Sequence, residues 1–370
     1  MHILLVPDSF KESLSAAEVA EALARGFQAS QLNCTVEKLP IGDGGEGTVA
    51  ALAASLGMVY TQAMVTGPFG QVSEITYALK ENQALVEMAE VAGLAKIPLS
   101  QRNPLQVSSQ GLGELILQLA QEGVTKIMVG VGGSASQDGG IGMAAGLGYH
   151  FLDTKGQVLE PLGVNLEHVA KISDQEVPTY LQDLELTIIT DVTNPLCGPQ
   201  GATYVFAGQK GLPEDEFAVA DQAMEQFYQL ANPQILQQDG AGAGGGMAAG
   251  LATFAGGKIV SGIDTILDLV DFDRRVQTAD LVVVGEGRMD KQSLAGKAPV
   301  GVARRTPSEI PVLAICGSLK DDLPDFPTAN VQAAFSIISQ SQPLETILTQ
   351  ASTNLERTAR NIGNVLALGR

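Results

Sequence analysis

Charged side chains recur inside four glycine-rich stretches of this chain, and that pairing defines the chemistry to consider. The stretches are residues 42–47 (Gly-Asp-Gly-Gly-Glu-Gly), 130–140 (Gly-Val-Gly-Gly-Ser-Ala-Ser-Gln-Asp-Gly-Gly), 240–246 (Gly-Ala-Gly-Ala-Gly-Gly-Gly) and 285–290 (Gly-Glu-Gly-Arg-Met-Asp). Acids in these and neighbouring loops are Asp8, Asp43, Glu46, Asp138, Asp191, Glu286 and Asp290, and the cations are Lys11, Lys210, Arg288 and Lys297. Glycine permits positive φ and lets backbone amides approach an anion with no Cβ in the way. Phosphoryl transfer needs a divalent cation held by carboxylates, a base near the nucleophile, and cations for the developing charge. Mg²⁺ takes only one or two carboxylates, so most of the seven acids must cap loops or helices instead. Asp191-Val-Thr-Asn194 sets an acid and an amide side by side after an apolar run, which suits a base or a metal ligand.

A dinucleotide site is the rival reading of the same glycines. Gly130-x-Gly132-x-x-Ala135 follows a strand-like run, with Asp153 about twenty residues further on, where an acid could hold a ribose. The pattern recurs at Gly140, Gly142 and Ala145, as it readily does where 42 of 370 residues are glycine. No G-x-x-x-x-G-K-[ST] is present.

These loops need strands and helices to hold them. Residues 3–6 read as a short buried strand; Ser15-Ala-Ala-Glu18 then fits a capping box, and Val19, Leu23 and Phe27 follow at helical spacing. A second strand near 34–39 leads into the first glycine stretch and a helix from Thr48, a rhythm that signals a parallel sheet. The middle differs: strands at 59–65, 74–79 and 84–87 succeed one another with little helix between, and others follow at 126–131 and 186–190. The βα rhythm returns with a strand at 281–284, a helix near 292–305, a strand at 312–316 and a last amphipathic helix over 344–368. The expected architecture is a two-domain α/β fold. Residues 1–66 and 286–370 form a Rossmann-like parallel-sheet domain from both chain ends, and 67–285 form an inserted α/β domain. All four glycine stretches are expected to follow strands, where open α/β sheets bind ligands.

Composition excludes several function classes. Twenty-two basic against 41 acidic residues leave a formal charge of −19, which repels phosphate polymers and argues against nucleic-acid binding. Cys34, Cys197 and Cys316 form no C-x-x-C, and His2, His150 and His168 form no H-x-x-x-H, so neither a disulfide framework nor a zinc site is expected. The N-terminal apolar run is too short for a signal peptide, and no run reaches the ~18 apolar residues of a membrane span. The expectation is a soluble cytoplasmic protein, monomer or homodimer, acting on small molecules.

The ordered segments Val6-Pro-Asp-Ser-Phe-Lys11, Pro40-Ile-Gly-Asp-Gly-Gly-Glu-Gly-Thr48, Glu87-Met-Ala-Glu90, Gly132-Gly-Ser-Ala135, Asp138-Gly-Gly140, Asp191-Val-Thr-Asn-Pro-Leu196, Gly201-Ala-Thr203, Gly285-Glu-Gly-Arg288, Asp290 and Gly296-Lys297 resemble the bacterial-type, class I glycerate kinases over nearly the whole length. The resemblance implies phosphorylation of D-glycerate by ATP with Mg²⁺, chiefly on the 2-hydroxyl to give 2-phosphoglycerate, in a cleft between two α/β domains. The alternative product is 3-phosphoglycerate. A dinucleotide-dependent hydroxy-acid oxidoreductase and a non-catalytic metabolite-binding regulator are the rivals from other classes. On this reading Asp191, Lys11 and Arg288 are catalytic. Asp8, Ser9, Lys11, Arg288, Asp290 and Lys297 bind substrate. Gly132, Gly133, Ser134, Asp138, Gly139 and Asn194 bind the ATP phosphates, and Asp43, Glu46 and Asp191 hold the metal. The chain departs from the family pattern at Glu12 (usually Gly), Gly42 (usually Ala), Ser136-Gln137 (usually Thr-Asn) and Ala207-Gly208 (usually Gly-Pro).

Overall fold

Ile3, Leu4, Leu5 and Val6 are all fully buried, as a central parallel strand covered on both faces requires. In the computed structural model, which describes residues 1–42, 47–291, 293–295 and 298–369, this run is the strand His2–Pro7. The chain divides into two units. The first takes the described residues of 1–42, 47–57 and 262–369, and the second is Met58–Ser261. Both units are α/β, and the first is built from both chain ends. Both unit borders, at 57/58 and 261/262, lie earlier in the chain than the expected 66/67 and 285/286, for a reason of pairing. Val59–Thr66 pairs antiparallel with Val72–Lys80 and so belongs to the second unit, whereas Leu281–Gly285 pairs with His2–Pro7 and belongs to the first.

The first unit carries a five-stranded parallel sheet in the order Val331–Ser336, Val312–Cys316, Leu281–Gly285, His2–Pro7, Thr35–Lys38. The order reverses between His2–Pro7 and Leu281–Gly285. Their register sets Pro7 opposite Gly285, so both chains leave the sheet side by side at its carboxyl edge. Helix Ala16–Gln28 starts at the expected capping box. Glu18 N–H donates to Ser15 Oγ (3.3 Å), and Ser15 N–H donates to Glu18 Oε2 (2.8 Å). Its Val19, Leu23 and Phe27 share a core with Ile3, Leu5, Val283, Leu355 and Ala359. The last of these residues lie on helix Ala351–Leu368, which approaches so closely that a Cβ on Gly26 would sit 2.4 Å from Glu356 O. The single terminal helix expected over 344–368 is two, Leu344–Thr349 and Ala351–Leu368. Helix Ala298–Arg305 lies against the strands His2–Pro7 and Leu281–Gly285.

The second unit has a six-stranded sheet in the order Lys258–Ser261, Glu185–Thr190, Lys126–Gly130, Gln83–Glu87, Val72–Lys80, Val59–Thr66. The first four strands are parallel; the last two add an antiparallel meander, which is the run of strands with little helix between them. One expectation about glycine is corrected here. The stretch 240–246 follows the 3₁₀ turn Pro233–Gln237, not a strand, and runs into helix Ala243–Phe254. Gly244, Gly245 and Gly246 hold φ of 66°, 77° and 85°, and they bring backbone onto backbone: a Cβ on Gly246 would sit 2.8 Å from Gly139 Cα, and one on Gly245 would sit 2.1 Å from Ser136 O. These glycines are packing devices that seat the 130–140 stretch.

Candidate active site

At the switch point of the first sheet, three strand-end loops converge because glycine lets their backbones touch. Asp8 N–H donates to Gly285 O (2.9 Å), Gly317 N–H to Glu286 O (3.0 Å) and Ser318 N–H to Gly287 O (3.1 Å). A Cβ on Gly317 would lie 2.2 Å from Gly287 O, and one on Gly285 would lie 2.5 Å from Ile315 O. Above this floor opens a cavity of about 530 Å³, the size of many small-molecule sites. Its lining includes the polar Asp8, Ser9, Lys11, Glu286, Arg288 and Asp290 and the apolar Phe10, Ile337, Ile338, Leu344, Ile347 and Leu348. The structure thus gathers five of the six sequence-derived substrate residues around one cavity. The sixth, Lys297, lies outside the described residues, as do Asp43 and Glu46.

Local geometry explains how each polar group is held. Asp8 Oδ1 accepts the Ser9 N–H at 2.6 Å. Asp290 Oδ1 accepts Ser293 N–H at 3.1 Å while Ser293 Oγ accepts Asp290 N–H at 3.2 Å, which caps the 3₁₀ turn Ser293–Ala295. Arg288 projects from the two-residue strand Arg288–Met289, paired parallel with Ser318–Leu319 and anchored by the fully buried Met289. Lys11 is exposed at the turn that closes with Phe10 N–H on Leu14 O (2.8 Å). Next to it Glu12 holds φ 65°, the left-handed region that glycine enters without cost, so the departure at this position carries about 1–2 kcal/mol of backbone strain. No side-chain hydrogen bond or ion pair ties Lys11 or Arg288 to any described residue. Cations elsewhere are engaged: Arg305 with Asp268 and Asp273, Arg275 with Glu37, Lys96 with Glu90.

The second unit presents the remaining sequence-derived residues. Asp191 stands exposed directly after the strand Glu185–Thr190, and Asn194 Nδ2 donates to Gln200 O (2.8 Å). Gly132 and Gly133 reach the surface where the strand Lys126–Gly130 ends, with Gly133 at φ 69°. Ser134, Asp138 and Gly139 are buried. The Asp138 carboxylate accepts Ser109 Oγ–H (2.5 Å), Ser109 N–H (3.2 Å) and Gly140 N–H (3.1 Å), so in this conformation it braces the loop from behind. Glu87, buried at the strand end beside Gly130, was passed over as a candidate because its apolar neighbours read as ordinary strand. The apolar wall at 337–348 was also missed, since its residues carry no local signal of chemistry.

Lys210 lies inside the second unit rather than on a surface loop. Its Nζ donates to Ser136 O at 2.6 Å, and burial pulls the ammonium down to about 7, partly opposed by the nearby Asp138. Burial pushes the Asp138 carboxyl up from its ordinary value. Between pH 7 and the ordinary lysine value, the unfolded chain holds a proton on residue 210 that the folded chain has shed. Folding stability therefore rises with pH through that window, at about 1.4 kcal/mol per pH unit at most. Urea midpoints measured from pH 7 to 9 should climb more steeply for the native chain than for Lys210→Met; equal slopes would contradict this. The raised Asp138 carboxyl acts in the opposite sense: its contribution is present at low pH and fades as pH rises through its folded value.

Among the described residues no group of three or more His, Cys, Asp or Glu gathers as a metal cage, and no helix is long and apolar enough to cross a membrane. Comparison with known proteins places this geometry in a family context. The model of the Glycerate kinase family matches residues 3–367. Glycerate kinase of Neisseria meningitidis serogroup B is 54% identical over 366 residues, covering 99% of each chain. Glycerate kinase of Bacillus subtilis is 40% identical over 100% of this chain and 99% of its own, and Glycerate 2-kinase of Escherichia coli K12 is 37% identical with the same coverage. A crystal structure from Salmonella typhimurium LT2, 38% identical, superposes with a TM-score of 0.86 over 100% of this chain and 99% of that one.

Proposed function

Since the chain belongs to the glycerate kinase family, we propose that this enzyme transfers the γ-phosphoryl group of ATP to the 2-hydroxyl of D-glycerate, giving 2-phospho-D-glycerate and ADP. The observation that carries the reading is the cavity at the carboxyl edge of the first sheet, where Lys11 and Arg288 have no carboxylate partner among the described residues, in a chain of charge −19. Two such cations suit two anionic groups, the glycerate carboxylate and the moving phosphoryl. The printed name of the Escherichia coli relative, Glycerate 2-kinase, supports the 2-position.

In the proposed mechanism the guanidinium fork of Arg288 grips the glycerate carboxylate and Lys11 neutralises the transferring phosphoryl. Asp8, Ser9 and Asp290 orient the hydroxyls. The glycerate oxygen forms a bond to the γ-phosphorus as the bond to the bridging oxygen of ADP breaks, and the hydroxyl proton passes to a carboxylate, for which Asp191 is the candidate. Gly132 and Gly133 offer backbone amides to the phosphates, with Asn194 nearby in sequence to Asp191. Ser134, Asp138 and Gly139 support that loop from within. Mg²⁺ takes hard oxygen ligands and one or two carboxylates, so a full cage is unnecessary, and the exposed Asp191 fits that donor chemistry. Asp43, Glu46 and Lys297 complete the sequence-derived set. When bound, the metal would offset phosphate charge.

The direct test incubates the enzyme with D-glycerate, ATP and Mg²⁺ and couples the product to enolase with no mutase present. Signal at the rate of ADP release is the expected result. ADP release without enolase signal would indicate the 3-phosphate, and no ADP release at all would reject the reading.

A further inference from the structure

The cavity at the switch point is larger, and its lining more apolar, than a three-carbon hydroxy acid requires. Its volume of about 530 Å³ falls within the roughly 300–1,000 Å³ typical of sites for much larger ligands. Besides its polar residues the cavity is lined by Ile337, Ile338, Leu344, Ile347 and Leu348, contributed by the segment that follows the edge strand Val331–Ser336. Two of these stay solvent-exposed, Ile338 at 37% and Leu344 at 66%, which is open apolar surface adjoining two cations. The segment is fixed in place: Ile337 N–H donates to Cys316 O (3.0 Å), and Leu348 O accepts Ser13 Oγ–H (2.7 Å), which ties the wall to the Lys11 turn.

We infer that this apolar wall is the platform for the nucleobase of the ATP co-substrate, with the triphosphate running toward Lys11. A flat heteroaromatic ring with a polyanionic tail matches a cavity whose lining joins a run of apolar residues to the cation Lys11. Glycerate alone matches only the polar half. The carboxyl edge of a parallel sheet at its switch point is also where such folds seat mononucleotides. The acids Asp8, Glu12, Glu286 and Asp290 line the same cavity, so phosphate charge is received locally at Lys11 rather than by a general positive field. This inference rests on the reading of the chain as an ATP-using kinase.

The test uses the full chain with Ile338→Gln and Leu344→Gln, singly and together. Both side chains are exposed enough that the variants should fold, and thermal midpoints verify it. ADP binding is measured by calorimetry without glycerate, inorganic triphosphate is assayed as a competitor, and KM is determined for each substrate. The expected result for the double variant is an ADP Kd and an ATP KM raised about tenfold, with triphosphate inhibition and glycerate KM unchanged. ADP affinity equal to native would overturn the inference. Equal weakening of ADP and triphosphate would also overturn it, because the loss would then lie with the phosphates, and so would a rise confined to glycerate KM. A native chain that binds ADP in this base-dependent way but transfers no phosphoryl to glycerate would reject the kinase reading and leave the platform standing.

Discussion

Replacing Asp191 by Asn is expected to lower kcat by about 10²–10⁴ while leaving the fold intact. The residue is the first after the strand Glu185–Thr190, whose Leu186, Ile188 and Ile189 are buried, so the sheet fixes its backbone and leaves its side chain in solvent. Asparagine keeps the shape and removes the charge. If Asp191 takes the hydroxyl proton, the loss persists at every Mg²⁺ concentration and the acid limb of the pH–kcat profile disappears. If it is a metal ligand, raising Mg²⁺ restores turnover. Native turnover at ordinary Mg²⁺ would remove Asp191 from both roles.

The second large effect is expected at Arg288. Alanine there should reduce kcat/KM for glycerate by about 10²–10³, or roughly 2.7–4 kcal/mol of transition-state stabilisation. The guanidinium is exposed and makes no ion pair with a described residue, so its removal leaves no buried charge behind. Stability should accordingly change by no more than about 0.5 kcal/mol. Lysine retains the charge but not the planar fork and should recover only a small part of the loss. If Arg288→Lys and Arg288→Ala both keep native kcat and native KM for both substrates, the residue serves only the Arg288–Met289 strand.

Local signals proved legible where one element decides its own form. The Ser15–Glu18 capping box, the fully apolar strand at 3–6 and the alternation of strands and helices at both chain ends all depend on near neighbours, and the two-domain α/β reading followed from them. The gathering of Asp8, Ser9, Lys11, Arg288 and Asp290 was anticipated by residue type and family resemblance. Glycine was less legible, because the same residue serves an anion cradle and a backbone contact. Gly244, Gly245 and Gly246 carry the composition of a cradle, yet they seat Gly139 and Ser136, a partner about 105 positions away in sequence. The partners of Asp138, Ser109 and Gly140, are likewise not visible from its place in a glycine-rich stretch. The apolar wall at 337–348 could not be seen at all in sequence, since ordinary core residues become a ligand surface only when nothing covers them.

The pairing of His2–Pro7 with Leu281–Gly285 also bears on how the chain is made. The backbone amide of His2 bonds to Asp280, 278 positions later, so the strand His2–Pro7 emerges from the ribosome long before its inner neighbour, the central strand of the first sheet, exists. The second unit is one continuous segment, and every strand of its sheet has been synthesised by Ser261. Synthesis order therefore lets the insert fold first, while an apolar N-terminal strand waits for the segment that also brings Arg288. Truncation before residue 281 leaves that strand paired with Thr35–Lys38 alone and its inner edge open.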